Sequence, residues 1–327
     1  MTIASPKPFT RRAFLTASCA ALAAPALASG APAVETITGT AFATGWRISL
    51  PSGAGAAGLV APVQALLDRV DRQMSPYRSD SDLTRFNLAG AGACTAPADL
   101  VHVARAARDL AAASAGHFDP TVGPLVARWG FGPIAGEGTA DWRALELTPE
   151  ALVKPDARLT LDLCGIAKGY ALDGLAALVR AAGHADFFVD LGGEVIAAGR
   201  HPEGRAWQIG IEDPRPEVAG IADVLALDGT AVATSGDREN GYTLDDRRYS
   251  HIIDPETGAP VAGAIASVSV LAPTAMEADG WATALMAAGP EAGPALARAQ
   301  ALPALFLLRD GSGLARVITG DFAAHLA

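Results

Sequence analysis

The stretch DFFVDLGGEVIAAG, residues 186–199, decides the architecture. It holds two short apolar runs of strand length on either side of Gly192-Gly193, the composition of a tight hairpin. Working outward, strand-like runs at 206–212, 222–227, 231–234 and 264–272 follow with few helical patterns among them. Residues 303–308 and 314–318 read as a closing strand pair around Asp310-Gly311, and residues 36–50 upstream are strand material as well. Apolar residues at helical spacing mark 57–74 (Leu59, Val60, Val63, Leu66, Leu67, Val70), and further helices are expected at 98–115, 165–182, 275–288 and 291–300. Strands clustered in this way predict an α+β fold, a largely antiparallel sheet with packed helices in one domain. No G-x-G-x-x-G follows a first strand, which argues against a doubly wound dinucleotide fold.

The chain has 327 residues, 50% of them hydrophobic and 18% charged, so there is ample material for a core. Its net charge is −10. Residues 1–28 carry Lys7, Arg11 and Arg12 and no acid, so their removal takes −10 to −13. A chain this acidic repels phosphate backbones, so no nucleic-acid partner is expected, although a divalent cation can screen the charge locally for a small phosphorylated ligand. The three cysteines, Cys19, Cys94 and Cys164, make no Cys-x-x-Cys and no zinc spacing. Cys94 and Cys164 stay in a processed chain, paired or free.

Residues 8–30, PFTRRAFLTASCAALAAPALASG, read as an export leader. Arg11-Arg12 is the positive region, 13–28 the short apolar run, and Ala26-Leu27-Ala28 supplies the small residues that precede cleavage near Ser29. Thr10-Arg11-Arg12-Ala13-Phe14-Leu15 is similar to a twin-arginine signal, which predicts export to the periplasm through the Tat translocon. A lipobox ending at Cys19 is the competing reading, with Thr16 where Leu is usual. Residues 29–36 are then a short N-terminal linker and 37–327 the folded domain.

Four segments could carry chemistry. In LDLCGIAKGYALD, residues 161–173, an expected strand (159–163) runs through a glycine turn into a helix start, where free N–H groups and the helix dipole favour phosphate. Lys168 lies in the first turn, a poor place for a cation unless an anion faces it. In DLGGE, residues 190–194, Gly192 and Gly193 let backbone approach a ligand, or simply make a hairpin turn. In RYSHIIDPETG, residues 248–258, His251 is either a satisfied core histidine or the base a hydroxyl substrate needs near neutral pH. In EADGWAT, residues 277–283, Asp279 and Thr283 stand four apart on one helix face and offer two hard oxygens, suited to Mg2+.

Taken together these segments resemble the ApbE family of FAD:protein FMN transferases. The M-S-P-Y segment at Met74–Tyr77, followed by Ser79, Ser81 and Asn87, G-H-F-D-P-T-V-G-P-L at 116–125 and W-G-F-G at 129–132 precede D-L-C-G-I-A-K-G-Y-A-L-D, D-L-G-G-E, S-H-I-I-D-P-E-T-G and A-D-G-W-A-T in family order. The resemblance implies a fold related to the T-fold and an FAD site lined by Tyr77, His117, Phe118, Asp119, Asp162, Lys168 and Ile253. It also implies Mg2+ held by Asp279, Thr283 and the backbone carbonyl of Gly165. Ala282 stands where some members carry a further polar residue, and Thr38 stands where many have Met. The implied partner is an acceptor flavoprotein with a Thr or Ser flavinylation site, of the kind found in respiratory electron-transfer subunits and regulators of nitrous oxide respiration.

FAD is a phosphoric anhydride, and attack at the FMN phosphorus expels AMP. Mg2+ across the diphosphate neutralises the leaving group, and a base such as His251 activates the acceptor hydroxyl. Two other readings use the same residues: hydrolysis of FAD to FMN and AMP by water, and a non-catalytic periplasmic flavin-binding protein.

Overall fold

The computed structural model describes residues 33–244, 247–261, 263–311 and 313–327; the leader read at 1–28 lies outside them. Eight strands make the main sheet: β1 (Val34–Ala41), β2 (Thr44–Pro51), β3 (Phe187–Leu191), β4 (Glu194–Ala198), β5 (Thr230–Gly236), β6 (Ile265–Ala272), β7 (Ala304–Asp310) and β8 (Gly313–Thr319). Their order in space equals their order in the chain, and every neighbouring pair is antiparallel. The α+β expectation therefore holds. Six helices complete the fold: α1 (Val60–Met74), α2 (Asp82–Leu88), α3 (Ala98–Ala113), α4 (Gly123–Arg128), α5 (Ala167–Ala181) and α6 (Ala275–Ala299).

The period-2 alternation of β3 sets the layers. Phe187, Val189 and Leu191 pack into the core shared with α1, α3 and α5. Phe188 points the other way, into a second core closed by a hairpin of Trp207–Glu212 and Ile221–Leu227 and by Phe322. Helix α6 covers β6 and β7 through Leu285, Met286 and Phe306. With both faces covered, β6 is buried at all eight positions, which is why it reads as one apolar run although its neighbours are antiparallel. Among the described residues no helix is long and apolar enough to cross a membrane.

Three local features differ from the sequence reading. Residues 36–50 are two strands, because Phe42 and Ala43 turn the chain with φ of 51° and 60°. No glycine, Asn or Asp signals that turn. The runs at 206–212 and 222–227 pair with each other outside the main sheet. Residues 159–163 are extended but form no strand. The Asn87 side chain takes the place of a neighbouring strand there: its Oδ1 accepts from Leu161 N (2.7 Å) and its Nδ2 donates to Leu161 O (2.9 Å). Beneath it, the buried Lys154 donates to the carbonyls of Asn87, Ala157 and Leu159. By contrast, the division expected at 288–291 is present: Gly289 has φ 80° inside α6, and Pro290 follows it.

Leu161 is fully buried, so losing Asn87 strands an N–H and a C=O. Asn87→Ala is expected to cost about 2–6 kcal/mol of stability, since each of the two unsatisfied buried groups costs roughly 1–3 kcal/mol. Chemical denaturation checks it, and an unchanged midpoint would show that the clamp is dispensable.

Candidate active site

The site forms where the start of α5 meets the first half of α6 at the β3–β4 turn. Gly169 permits the approach. A Cβ there would lie 2.3 Å from Ala275 O, a distance no side chain can take. Its N–H donates to Asp279 Oδ2 at 2.9 Å. Gly165 is confined too: a Cβ would meet Thr283 Oγ1 at 3.1 Å and Phe118 Cε2 at 3.2 Å. Gly165, Thr283 and Phe118 are thus in contact, with Asp279 one turn earlier on the stripe of α6 that carries Thr283. Ser235 on β5 places its Oγ 3.3 Å from Thr283 Oγ1. A carboxylate, hydroxyls and a backbone carbonyl on adjoining elements are hard oxygen donors, the chemistry that fits Mg2+. Ala282 is fully buried in the α6 core and contributes nothing polar.

Lys168 has the anion that its position called for, and it is one of the protein's own. Its Nζ lies 2.7 Å from Oε2 of Glu194, a carboxylate buried at the head of β4. Burial works against the lysine charge, but the carboxylates of Glu194 and Asp279 outweigh it and hold the ammonium above its usual range. Burial pushes Glu194 and Asp279 up, and in both cases the Lys168 charge pulls them back. The cluster is a cation between two carboxylates, with excess negative charge once both are ionised.

Glu194 was the residue that the sequence reading missed within its own segment. A charge opening the otherwise apolar run EVIAA was the available signal. Gly192 and Gly193 have φ of 65° and 99° between the paired Leu191 and Glu194. That is a type I′ hairpin turn, which by itself accounts for both glycines.

Tyr77, Asp162 and Cys164 are the next candidates. Asp162 is clamped through its neighbour Leu161, and its Oδ1 accepts from Cys164 N at 2.9 Å. Asp162 is half-buried and Cys164 exposed. Burial raises the Asp162 carboxyl, with the Cys164 N–H opposing. Tyr77 is exposed, its hydroxyl donates to Phe131 O at 3.4 Å, and burial first, then the charges of Cys164 and Asp162, raise it above its usual range. Cys94 and Cys164 are free thiols. Phe118 is buried, and His117 half-buried. Both oxygens of Asp119 accept from backbone or hydroxyl groups of the protein: Oδ1 from Thr121 N (2.7 Å) and Thr121 Oγ1 (2.6 Å), Oδ2 from Trp142 N (3.2 Å) on a later turn. Ile253 is buried in a short strand, Ile253–Asp254.

His251 is the remaining candidate. It follows a hairpin of Gly241–Leu244 and Arg247–Ser250, and both its backbone N and its Nδ1 are bonded to Asn240 O, the ring at 2.9 Å. A carbonyl can only accept, so Nδ1 carries the proton and Nε2 keeps its lone pair. Burial pushes the imidazole below its ordinary 6.5, Asn240 O and the Asp237 carboxylate pull it up, and the Lys168 charge pushes it down again. Aromatic contacts fix the hairpin: Tyr249 stacks on Trp129, Tyr242 on Phe131, and Phe131 meets the His251 ring edge-on. The W-G-F-G segment thereby acquires a structural role.

Fold and site define an α+β protein that brings hard oxygens and a half-buried lysine together at the start of α5. The comparisons with known proteins agree. The ApbE family model matches residues 42–306, and the chain belongs to the ApbE family. It is 34% identical over 322 residues to the FAD:protein FMN transferase of Klebsiella pneumoniae, covering 91% of each chain. It is 33% identical to that of Escherichia coli K12, covering 90% of this chain and 89% of the other. Among solved structures it is similar to the apo flavinyl transferase ApbE of Pseudomonas stutzeri, with TM-score 0.80, 36% identity and coverage of 89% and 96%. The flavin transferase ApbE of Vibrio cholerae aligns with TM-score 0.80, 32% identity and coverage of 90% and 100%.

Proposed function

We propose that the chain is an FAD:protein FMN transferase that acts with Mg2+ and joins FMN to a Thr or Ser hydroxyl of an acceptor flavoprotein. The observation that carries this reading is the convergence of Asp279, Thr283 and Gly165 with the Lys168–Glu194 pair. Asp279, Thr283 and the Gly165 carbonyl would hold the cation. Mg2+, when bound, supplies charge neutralisation on the diphosphate. Lys168 adds a positive charge to the same region, and Glu194 keeps its ammonium ionised and aimed. Tyr77, Asp162 and Phe118 wall the cleft for FAD.

His251 Nε2 accepts the proton of the acceptor hydroxyl as that oxygen bonds to the FMN phosphorus. The bond from this phosphorus to the bridging oxygen breaks, and AMP leaves with it. The proton passes from His251 to solvent. Export to the periplasm through the Tat translocon belongs to the same proposal. It rests on residues 8–30 of the sequence.

The reading is tested by incubating the chain with FAD and Mg2+, with and without an acceptor flavoprotein, and following AMP release. Release that requires the acceptor supports transfer. Equal release without it makes the chain an FAD pyrophosphatase, and no release with tight FAD binding makes it a flavin carrier.

A further inference from the structure

The first three N–H groups of α6 have no partner within their own helix, as at any helix start. Here each is satisfied. Thr274 Oγ1 accepts from Glu277 N at 3.2 Å, the ordinary N-cap bond. The other two go to a different helix: Asp173 of α5 accepts from Ala275 N through Oδ1 (2.7 Å) and from Met276 N through Oδ2 (2.9 Å). Asp173 stands four residues after Gly169, on the same face of α5. Gly169 in turn holds Asp279. Ala275, Asp279 and Thr283 are spaced by four along one stripe of α6. The grip of α5 on α6 therefore runs along the line that ends at the proposed cation ligands.

We propose that Asp173 is a positioning residue for the cation site, setting the register of α6 against α5 so that Asp279 and Thr283 arrive beside Gly165 and Lys168. The inference rests on the cation reading of those residues. Helix geometry shows why register matters: a slip of one residue moves a side chain by about 1.5 Å along the axis and about 100° around it. That is enough to take Asp279 off the Gly169 N–H and Thr283 away from Gly165. Gly169 contributes one N–H to one carboxylate, whereas Asp173 adds two bonds to successive N–H groups and so fixes the start of α6 more tightly. A carboxylate also suits the positive end of the α6 dipole.

The test compares Asp173→Asn, which keeps one acceptor oxygen, with Asp173→Ala, which keeps none. Thr274→Ala serves as a control that removes the other cap of the same helix without touching α5. Mg2+ is titrated calorimetrically into each chain, and the Mg2+-induced rise in melting temperature is recorded alongside. Groups that orient metal ligands typically contribute 10–100-fold in metal affinity. Asp173→Asn is expected to bind Mg2+ about 10-fold more weakly and Asp173→Ala about 100-fold, with Thr274→Ala near the parent. Raised Mg2+ should restore the turnover of Asp173→Asn, a change in Mg2+ requirement and not in the rate at saturation.

Parent-like Mg2+ affinity in Asp173→Asn with only a lower melting temperature would reduce Asp173 to a stabilising cap. Equal weakening in Thr274→Ala would assign the effect to general stability of α6. Either result overturns the proposal while leaving the cation reading intact. A parent chain that binds no Mg2+ would remove the cation reading itself, and this inference with it.

Discussion

Asp279→Ala is expected to lose on the order of 10²–10³-fold in FMN transfer, the largest loss predicted for any side chain on α6. A cation at a transferring phosphate stabilises developing charge by several kcal/mol, and each 1.36 kcal/mol is tenfold in rate. Asp279 contributes the one carboxylate among the three proposed ligands. It is also buried, accepts from Gly169 N at 2.9 Å and helps keep Lys168 charged. The alanine variant removes all three functions together. Asp279→Asn separates them: its amide oxygen can still accept from Gly169 N, so the helix contact survives while the charge is lost. The asparagine variant should fold like the parent, require far more Mg2+ and still turn over slowly. Rates measured against Mg2+ concentration decide this. A Mg2+ dependence like the parent's in both variants would remove Asp279 from the cation site.

His251→Ala should leave FAD binding nearly intact and lower transfer by roughly 10²–10⁴-fold, the usual worth of a general base. The geometry explains why this side chain is suited to the role. Its Nδ1–H is committed to Asn240 O, so the neutral ring presents Nε2 as the acceptor. Burial holds its pKa below 6.5, so at neutral pH the ring is unprotonated and ready to take a proton. The sign of the pH dependence follows. As pH falls through that lowered pKa, Nε2 becomes protonated and activity disappears. The parent should therefore show a flat rate at neutral pH and an acid limb below 6.5. The small residual activity of His251→Ala should lack that limb. An identical acid limb in the variant would assign it to another group.

Much of this was legible in the sequence, because it depends on local chemistry. Apolar runs of strand length showed the sheet, the helices expected at 275–288 and 291–300 flank the Gly289 break in α6, and Asp279 and Thr283 could be paired from helical spacing alone. What escaped was set by contacts between distant segments. The anion facing Lys168 is Glu194, 26 positions later, brought there by the β3–β4 hairpin. Residues 159–163 are supported by the Asn87 side chain, the Lys154 ammonium and the Pro120 carbonyl, which no strand pattern can reveal. Ser235 reaches Thr283 only because β5 runs beneath α6. The Phe42-Ala43 turn escaped for a different reason: its positive φ values fall on residues that do not ordinarily adopt them.

The central claim is that this cleft delivers FMN to a protein hydroxyl and not to water. Its most direct test is the intact mass of an acceptor flavoprotein after incubation with the chain, FAD and Mg2+, read beside in-gel flavin fluorescence and the stoichiometry of AMP. The account predicts that the acceptor gains the mass of one FMN less one water, with one AMP released per acceptor modified, and that replacing the acceptor's Thr or Ser abolishes both. Free FMN and AMP accumulating at the same rate while the acceptor keeps its mass would contradict it.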